Sequence, residues 1–339
     1  MISVRDFWQG RGPRCIGTVI RAPAYRWSPP EQKIPQAAEI IRGWEGPEIN
    51  MPPAFYPDYG TVTTARPWGG QVRVTDGGHA HIVPVADNLD ALLSIQPGEN
   101  PDLAQAVRGY REVVRLTGRA DVRFLSPDHQ GVLNTAALVM DQTEFMIAML
   151  DQPDRLHEFL EVVYDSNLRF IRALREQAGR LDGSIWPHIW LPDELGVTVT
   201  EDYMPLLSPE QYRQFGLPYL RRQSEQFGGL FIHCCGPYGR HVKNLAESGV
   251  RVLGLELRYP YTTMEEVQEH IRGVVLVPYV NLERQDRYAN EAEFYVDCIR
   301  KLHPDNRLWF ALTDRSPMPL APVKEALLRA GVCFEPMGE

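Results

Sequence analysis

No stretch of this 339-residue chain approaches the roughly 18 uninterrupted apolar residues that a membrane-spanning helix requires, so no span is expected. Positive charge is also scarce. Lys and Arg total 35 against 44 Asp and Glu, and the net charge of −9 argues against a nucleic-acid partner, whose phosphates demand a basic surface. The opening residues Met1–Asp6 lack the basic-then-apolar pattern of a secretory leader. Cysteine is sparse too: there are five, an odd number with two adjacent, which does not read as a disulfide framework. A reducing cytoplasm is the expected location. Neither a repeat of fixed period nor a low-complexity linker interrupts the chain. What remains is an ordinary globular composition, 44% hydrophobic and 23% charged, long enough for one large α/β barrel or two ordinary domains.

The first hundred residues are rich in Pro, Gly and aromatics. They suggest a short helix near Pro35–Trp44 and a hairpin in which Gln71–Thr75 and His79–Val85 flank a Gly77-Gly78 turn. Beyond residue 100 the pattern becomes strand, loop, helix, repeated. Strands are expected at Val122–Leu125, Ser184–Trp190, Gly229–His233, Arg251–Leu257, Val274–Val280 and Arg307–Thr313. Helices are expected over Thr135–Met149, Arg155–Gln177, Arg240–Ser248, Thr263–Arg272, Glu291–Leu302 and Ala321–Ala330. Ser208, Pro209 and Gln211 form a capping-box start, and Pro218 should split Ser208–Phe227 into two helical pieces. Alternation of this kind means parallel strands with helical crossovers. The fold class expected is therefore α/β, a single (β/α)8 TIM-type barrel spanning residues 1–339, with an irregular N-terminal part over 1–100 packed on it. In such barrels the chemistry sits at the C-terminal ends of the strands.

The most informative stretch is Gly229-Leu230-Phe231-Ile232-His233-Cys234-Cys235-Gly236. Strand side chains alternate with period two, so His233 and Cys235 should point together while Cys234 faces the opposite side as a packed thiol. Gly236 lets the backbone turn away just beyond them. An imidazole and a thiolate delivered together make half of a zinc site. The bland alternative is a buried, hydrogen-bonded His beside a small apolar Cys. Cysteine nucleophilic catalysis is disfavoured, because it wants a thiolate at a helix N-terminus with a separate His base.

The segments Leu206-Leu207-Ser208-Pro209-Glu210-Gln211-Tyr212, Pro218-Tyr219-Leu220 and Ile232-His233-Cys234-Cys235-Gly236 together resemble the uroporphyrinogen decarboxylase superfamily. The motifs look most like its cobalamin-dependent methyltransferase branch. That resemblance covers about Asp151–Leu320 and implies a (β/α)8 barrel holding zinc through a His-x-Cys pair and a later Cys. The later Cys is replaced here: Asp314, after Leu308–Leu312, stands where it would fall. A carboxylate is a legitimate zinc ligand, so the expected metal set is His233, Cys235 and Asp314. Cys333 is a less natural candidate and Glu256 another possible oxygen ligand. The resemblance further implies a small-molecule methyl donor or acceptor, with a corrinoid carried on a separate partner protein.

The residues expected to act catalytically are Asp202, His188 and Glu256. Asp202 follows Glu201 where family members commonly carry acidic residues, although a solvated loop is the plain alternative. His188 lies between Trp186 and Trp190, two residues from each, and the trio would share one strand face as a pocket lining or as filling. His129 is a further pocket candidate. His79 and His81 read as surface residues on the hairpin, and His241, His270 and His303 as helix or turn residues without partners. The decarboxylase proper would grip its tetrapyrrole with an arginine-rich N-terminal segment, whereas this chain has only Arg11 and Arg14 around Pro13. The leading function is thus a zinc-dependent methyltransferase passing a methyl group between a small substrate or thiol and a corrinoid. The alternatives are a decarboxylase acting on a tetrapyrrole or related carboxylate, and a non-catalytic barrel that binds.

Overall fold

A computed structural model of the chain describes residues 1–20, 30–44, 49–57, 59–76, 79–184, 188–313 and 319–339. Eight strands run round the barrel: β1 (Cys15–Ile20), β2 (Ala54–Phe55), β3 (Arg123–Phe124), β4 (Val197–Thr200), β5 (Leu230–His233), β6 (Val252–Tyr259), β7 (Val275–Val280) and β8 (Arg307–Thr313). Six of them form one parallel sheet in the order β1-β8-β7-β6-β5-β4. The short pair β2 and β3 is also parallel, and a parallel bridge between Gln130 and Thr200 ties the segment after β3 to β4. On the other side the Asn50 side chain substitutes for a ladder, accepting from the Val19 amide and donating to the Gly17 carbonyl. This is a (β/α)8 barrel. The N-terminal hundred residues thus supply β1 and β2 besides an irregular covering.

Register explains how the interior is layered. Phe231 pairs with Thr198 and Gly254, and His233 pairs with Thr200. Arg258 pairs with Tyr279, and Trp309 with Ile16. Paired parallel residues leave the sheet on one face, so each strand offers an apolar residue near its start and a polar one near its end. At the N-terminal end, a short helix (Val4–Trp8) seats Trp8 against Phe231 and Trp309, at ring separations of 6.1 and 5.8 Å. Such aromatic contacts are worth about 0.5–1.5 kcal/mol each beyond the burial itself. That end is plugged. The polar layer, with Thr200, His233, Glu256 and Arg258, lies toward the C-terminal mouth.

Several expected elements are re-drawn. The segment expected as a strand over Ser184–Trp190 is a two-stranded antiparallel ribbon, Gly183–Ser184 with Ile189–Trp190, and the barrel strand comes later as Val197–Thr200. The helix expected over Thr135–Met149 is two, α1 (Val132–Val139) and α2 (Gln142–Asp151), because Asp141 leaves the helical conformation and caps the second by accepting from the Thr143 and Glu144 amides. α3 (Pro153–Ala178) contains the amphipathic run expected there. Ser208–Phe227 is indeed two pieces, α4 (Pro209–Phe215) and α5 (Leu217–Phe227), with the capping box formed at Ser208 and Gln211. The hairpin strands pair as Val72–Val74 with Ala80–Ile82, and the Gly77-Gly78 turn lies outside the described residues. No helix among the described residues is long and apolar enough to cross a membrane.

Candidate metal centre at the barrel mouth

His233 ends β5 and is buried; Cys235, two residues on, is exposed at the rim. The loop after β4 brings Asp202 to them. One ligand atom from each of Asp202, His233 and Cys235 lies within 4.8 Å of the other two, the one such group of three among the described residues. A tetrahedral zinc site with bonds of 2.0–2.3 Å has edges of about 3.3–3.8 Å, so a contraction of about 1 Å would close the set. His233 Nε2 is already 3.9 Å from Asp202 Oδ1. The same Asp202 oxygen accepts the Cys235 backbone N–H at 2.8 Å, which pins the two loops together. Gly236 is needed for that approach rather than for an unusual backbone angle. A Cβ there would lie 2.7 Å from the Pro205 ring, and a side chain would force the loops apart.

The other imidazole nitrogen is committed. His233 Nδ1 sits 2.5 Å from Glu256 Oε2, and Glu256 Oε1 accepts from Arg258 at 2.9 Å. Glu256 is fully buried, and Tyr238 donates to its backbone carbonyl at 2.6 Å. Burial disfavours charge on both groups, yet the two opposite charges and their hydrogen bond win. His233 is held well above the usual histidine range, while Glu256, helped also by Arg258, is held below the usual carboxylate range. With Nδ1 fixed by a carboxylate, the lone pair that can face a metal is on Nε2, the one aimed at Asp202. Carboxylate, histidine and metal in that order are the usual support for a metal-ligating imidazole. The donor set of one nitrogen, one sulfur and one carboxylate oxygen fits zinc.

This arrangement redistributes the expected roles. Asp202, expected to be catalytic, is the oxygen donor grouped with His233 and Cys235; Asp314, expected in that place, lies outside the described residues. Glu256 has one oxygen on His233 and the other on Arg258, so the structure places it directly behind the imidazole. His188 is buried and carries a left-handed backbone (φ 59°), which breaks the strand alternation that would have aligned it with Trp190. Its ring lies 5.5 Å from that of Tyr56, whereas Trp190 lies under the Arg123 guanidinium toward the plugged end; Trp186 is outside the described residues. Burial lowers the His188 pKa to about 3, although the Glu256 charge acts against this, so His188 is a neutral neighbour of the site. Cys234 is fully buried, as the alternation requires. His129 is buried and neutral, its Nδ1 3.2 Å from the Thr198 carbonyl. His79 and His81 are exposed. His241, expected to stand alone, packs edge-on against Tyr212 and receives Arg240 Nε–H. Arg11 and Arg14 sit at the opposite end: Arg14 precedes β1 and donates to the carbonyls of Leu302 and His303.

Two side chains of the mouth were not singled out from the sequence. Arg258 follows Glu256 by two residues on one strand face and stacks over Tyr279, 5.6 Å from the ring centre. Period-two reasoning from Glu256 would have found it. Asp128 accepts from Thr200 Oγ1 at 2.8 Å, a link between residues 72 apart that no local pattern reveals.

The chain superposes on a methyltransferase from Methanosarcina mazei with a TM-score of 0.64 at 14% identity, covering 95% of each chain. It superposes on a B12-independent methionine synthase from Shewanella sp. W3-18-1 with a TM-score of 0.53 at 12% identity, covering 94% of this chain and 95% of the other. No curated protein sequence matches. At such identities these likenesses speak for the barrel alone. The sequence itself goes further: the model of uroporphyrinogen decarboxylase (URO-D) matches residues 62–277, a span that runs from the covering segments to β7 and includes Asp202, His233, Cys235 and Glu256. With well over half its length matched, the chain belongs to the uroporphyrinogen decarboxylase family.

Proposed function

We propose that this protein is a zinc-dependent methyltransferase that passes a methyl group between a small thiol and a corrinoid carried by a partner protein. The observation that carries the reading is the meeting of Asp202, His233 and Cys235 at the barrel mouth, with His233 Nδ1 already held by a buried carboxylate. The Asp202 carboxylate, His233 Nε2 and Cys235 Sγ would hold the ion, leaving one position for substrate. When bound, the ion supplies Lewis acidity, lowering the pKa of a thiol so that a nucleophile exists at neutral pH. The likeness in fold to a methyltransferase and to a methionine synthase is in keeping with this chemistry.

The chain's own residues set up the rest. Glu256 fixes the tautomer and orientation of His233, and Arg258 balances the Glu256 charge at the rim. Tyr238 and Thr262 hold the loop behind Cys235: the Tyr238 amide donates to Thr262 Oγ1, which in turn donates to the Gly236 carbonyl. The aromatic plug closes the far end, so substrate enters and leaves by the mouth alone.

The test is direct. Zinc-loaded protein is mixed with methylcobalamin and 2-mercaptoethanol, and the loss of the methylcobalamin spectrum is followed. Thiol-dependent demethylation that is lost in Cys235→Ser supports the reading. Carbon dioxide released from uroporphyrinogen, with no methyl transfer, would replace it with the decarboxylase reading.

A further inference from the structure

Asn134 is a buried amide in a helix of mostly apolar residues, and the candidate metal centre as described leaves it without a role. It is the third residue of α1 and 6% exposed, where Val132, Leu133, Ala136, Ala137 and Val139 are buried too. An amide placed so deeply costs stability unless its polar atoms find partners. Both atoms do. Asn134 Oδ1 accepts the backbone N–H of Tyr203 at 2.8 Å, and Asn134 Nδ2 donates to Gln130 Oε1 at 2.6 Å. The Tyr203 amide is the first one past Asp202.

The main chain around Asp202 is therefore tied down on either side of it. Just before it, the Glu201 amide donates to the His233 carbonyl at 2.8 Å and fixes the chain to β5. Just after it, the Tyr203 amide is fixed to α1 through Asn134, and the chain then turns away as a short 3-10 helix, Met204–Leu206. Between these two ties the Asp202 carboxylate accepts the Cys235 amide at 2.8 Å. Asn134 stands on firm ground itself. Gln130 is bridged to Thr200 of β4, the Thr200 amide donating to the His129 carbonyl at 2.9 Å and the Gly131 amide to the Thr200 carbonyl at 2.8 Å. The bond to Gln130 also settles which end of the Asn134 amide faces Tyr203. Without that oxygen the buried Tyr203 N–H would have no acceptor, and the loop would have to rotate to find one.

We propose that Asn134 is a positioning residue of the metal centre, holding the Asp202 loop so that its carboxylate faces His233 and Cys235. It touches neither ion nor substrate and acts only through Asp202. This assignment rests on the reading of Asp202, His233 and Cys235 as zinc ligands, and the experiment separates the two.

Zinc affinity of the full chain is measured at pH 7.5 by competition with a chromophoric chelator, zinc alone being the probe, and the thermal midpoint of each metal-free protein reports folding. Asn134→Ala should bind zinc about tenfold more weakly than wild type, the lower end of the range for groups that orient metal ligands. The same change made in an Asp202→Ala background should alter the affinity by less than about twofold, because the residue through which it acts is gone. Asn134→Leu, which keeps the volume and removes both polar atoms, serves as the test if Asn134→Ala fails to fold. General damage to the barrel would weaken binding in both backgrounds alike, so an equal loss with Asp202 present and absent would overturn this assignment. So would a folded Asn134→Ala protein with the affinity of wild type. A wild type that binds no zinc, or that binds it no more tightly than Asp202→Ala does, would overturn the zinc reading and this assignment with it.

Discussion

Replacing Glu256 by Gln should weaken zinc binding by 10–100-fold without removing any ligand. The side chain is fully buried, with Oε2 2.5 Å from His233 Nδ1 and Oε1 2.9 Å from Arg258. A metal needs His233 neutral, with its remaining proton on Nδ1 and pointing at an acceptor. Glutamate supplies that acceptor with a full negative charge, which raises the basicity of Nε2. Glutamine keeps the shape and one acceptor oxygen, but its NH2 group must then face the Arg258 guanidinium, donor against donor. Removal of such a supporting carboxylate typically loses 10–100-fold in metal affinity, or roughly 1.4–2.7 kcal/mol. The Arg258 contact adds little to this, since that side chain is about a third exposed and screened by water. Competition against a chromophoric chelator at pH 7.5 and fixed ionic strength measures the change, with the thermal midpoint of the metal-free protein as a control for folding. Arg258→Met should show a smaller loss. A zinc affinity within twofold of wild type in a folded Glu256→Gln protein would refute the reasoning, because His233 would then need no support from Glu256.

Glu201 offers a pH test of the floor beneath the mouth. Burial, with Asp202 adding to it and Tyr212 opposing it, raises its pKa to about 8 from the ordinary carboxylate value of 4.5. The folded state therefore binds more protons than the unfolded state between these values, and stability falls as pH rises, by about 1.4 kcal/mol per unit. Glu201→Gln is neutral at every pH, so urea unfolding should show wild type losing several kcal/mol relative to the variant between pH 5 and 8; parallel profiles would contradict it. A Cβ on Gly131 would lie 1.7 Å from Glu201 Oε1. Gly131→Ala should then cost about 1–3 kcal/mol, and much of this should be recovered in a double variant with Glu201→Ala, with additive losses counting against the contact.

What could be read from the residues, and what could not, divides by distance along the chain. The apolar run before His233 and the period-two rule were enough to put His233 and Cys235 at one strand end and Cys234 in the core. Capping chemistry located α4, where Ser208 and Gln211 satisfy each other locally. The same chemistry was available at Asp141, whose carboxylate caps α2, yet the continuous apolar pattern around it hid the break. β4 was missed because Val197–Thr200 is short and buried on both faces, while the Trp-rich ribbon before it looked more like a strand. Asp202 was recognised as functional but not as a partner of His233, because its position is fixed by the Cys235 amide, 33 residues on. Asp128 reaches the mouth only through Thr200, and Glu256 reaches His233 only because β5 and β6 are neighbours. Contacts between strands require a register, and no single segment encodes one.

X-ray absorption at the zinc edge on purified, zinc-reconstituted protein tests the metal centre most directly. The prediction is about one zinc per chain, with a single sulfur near 2.3 Å among nitrogen and oxygen ligands near 2.0–2.2 Å, and loss of that sulfur in Cys235→Ser. A protein that retains no zinc, or binds it without sulfur and indifferently to Cys235, would contradict the account.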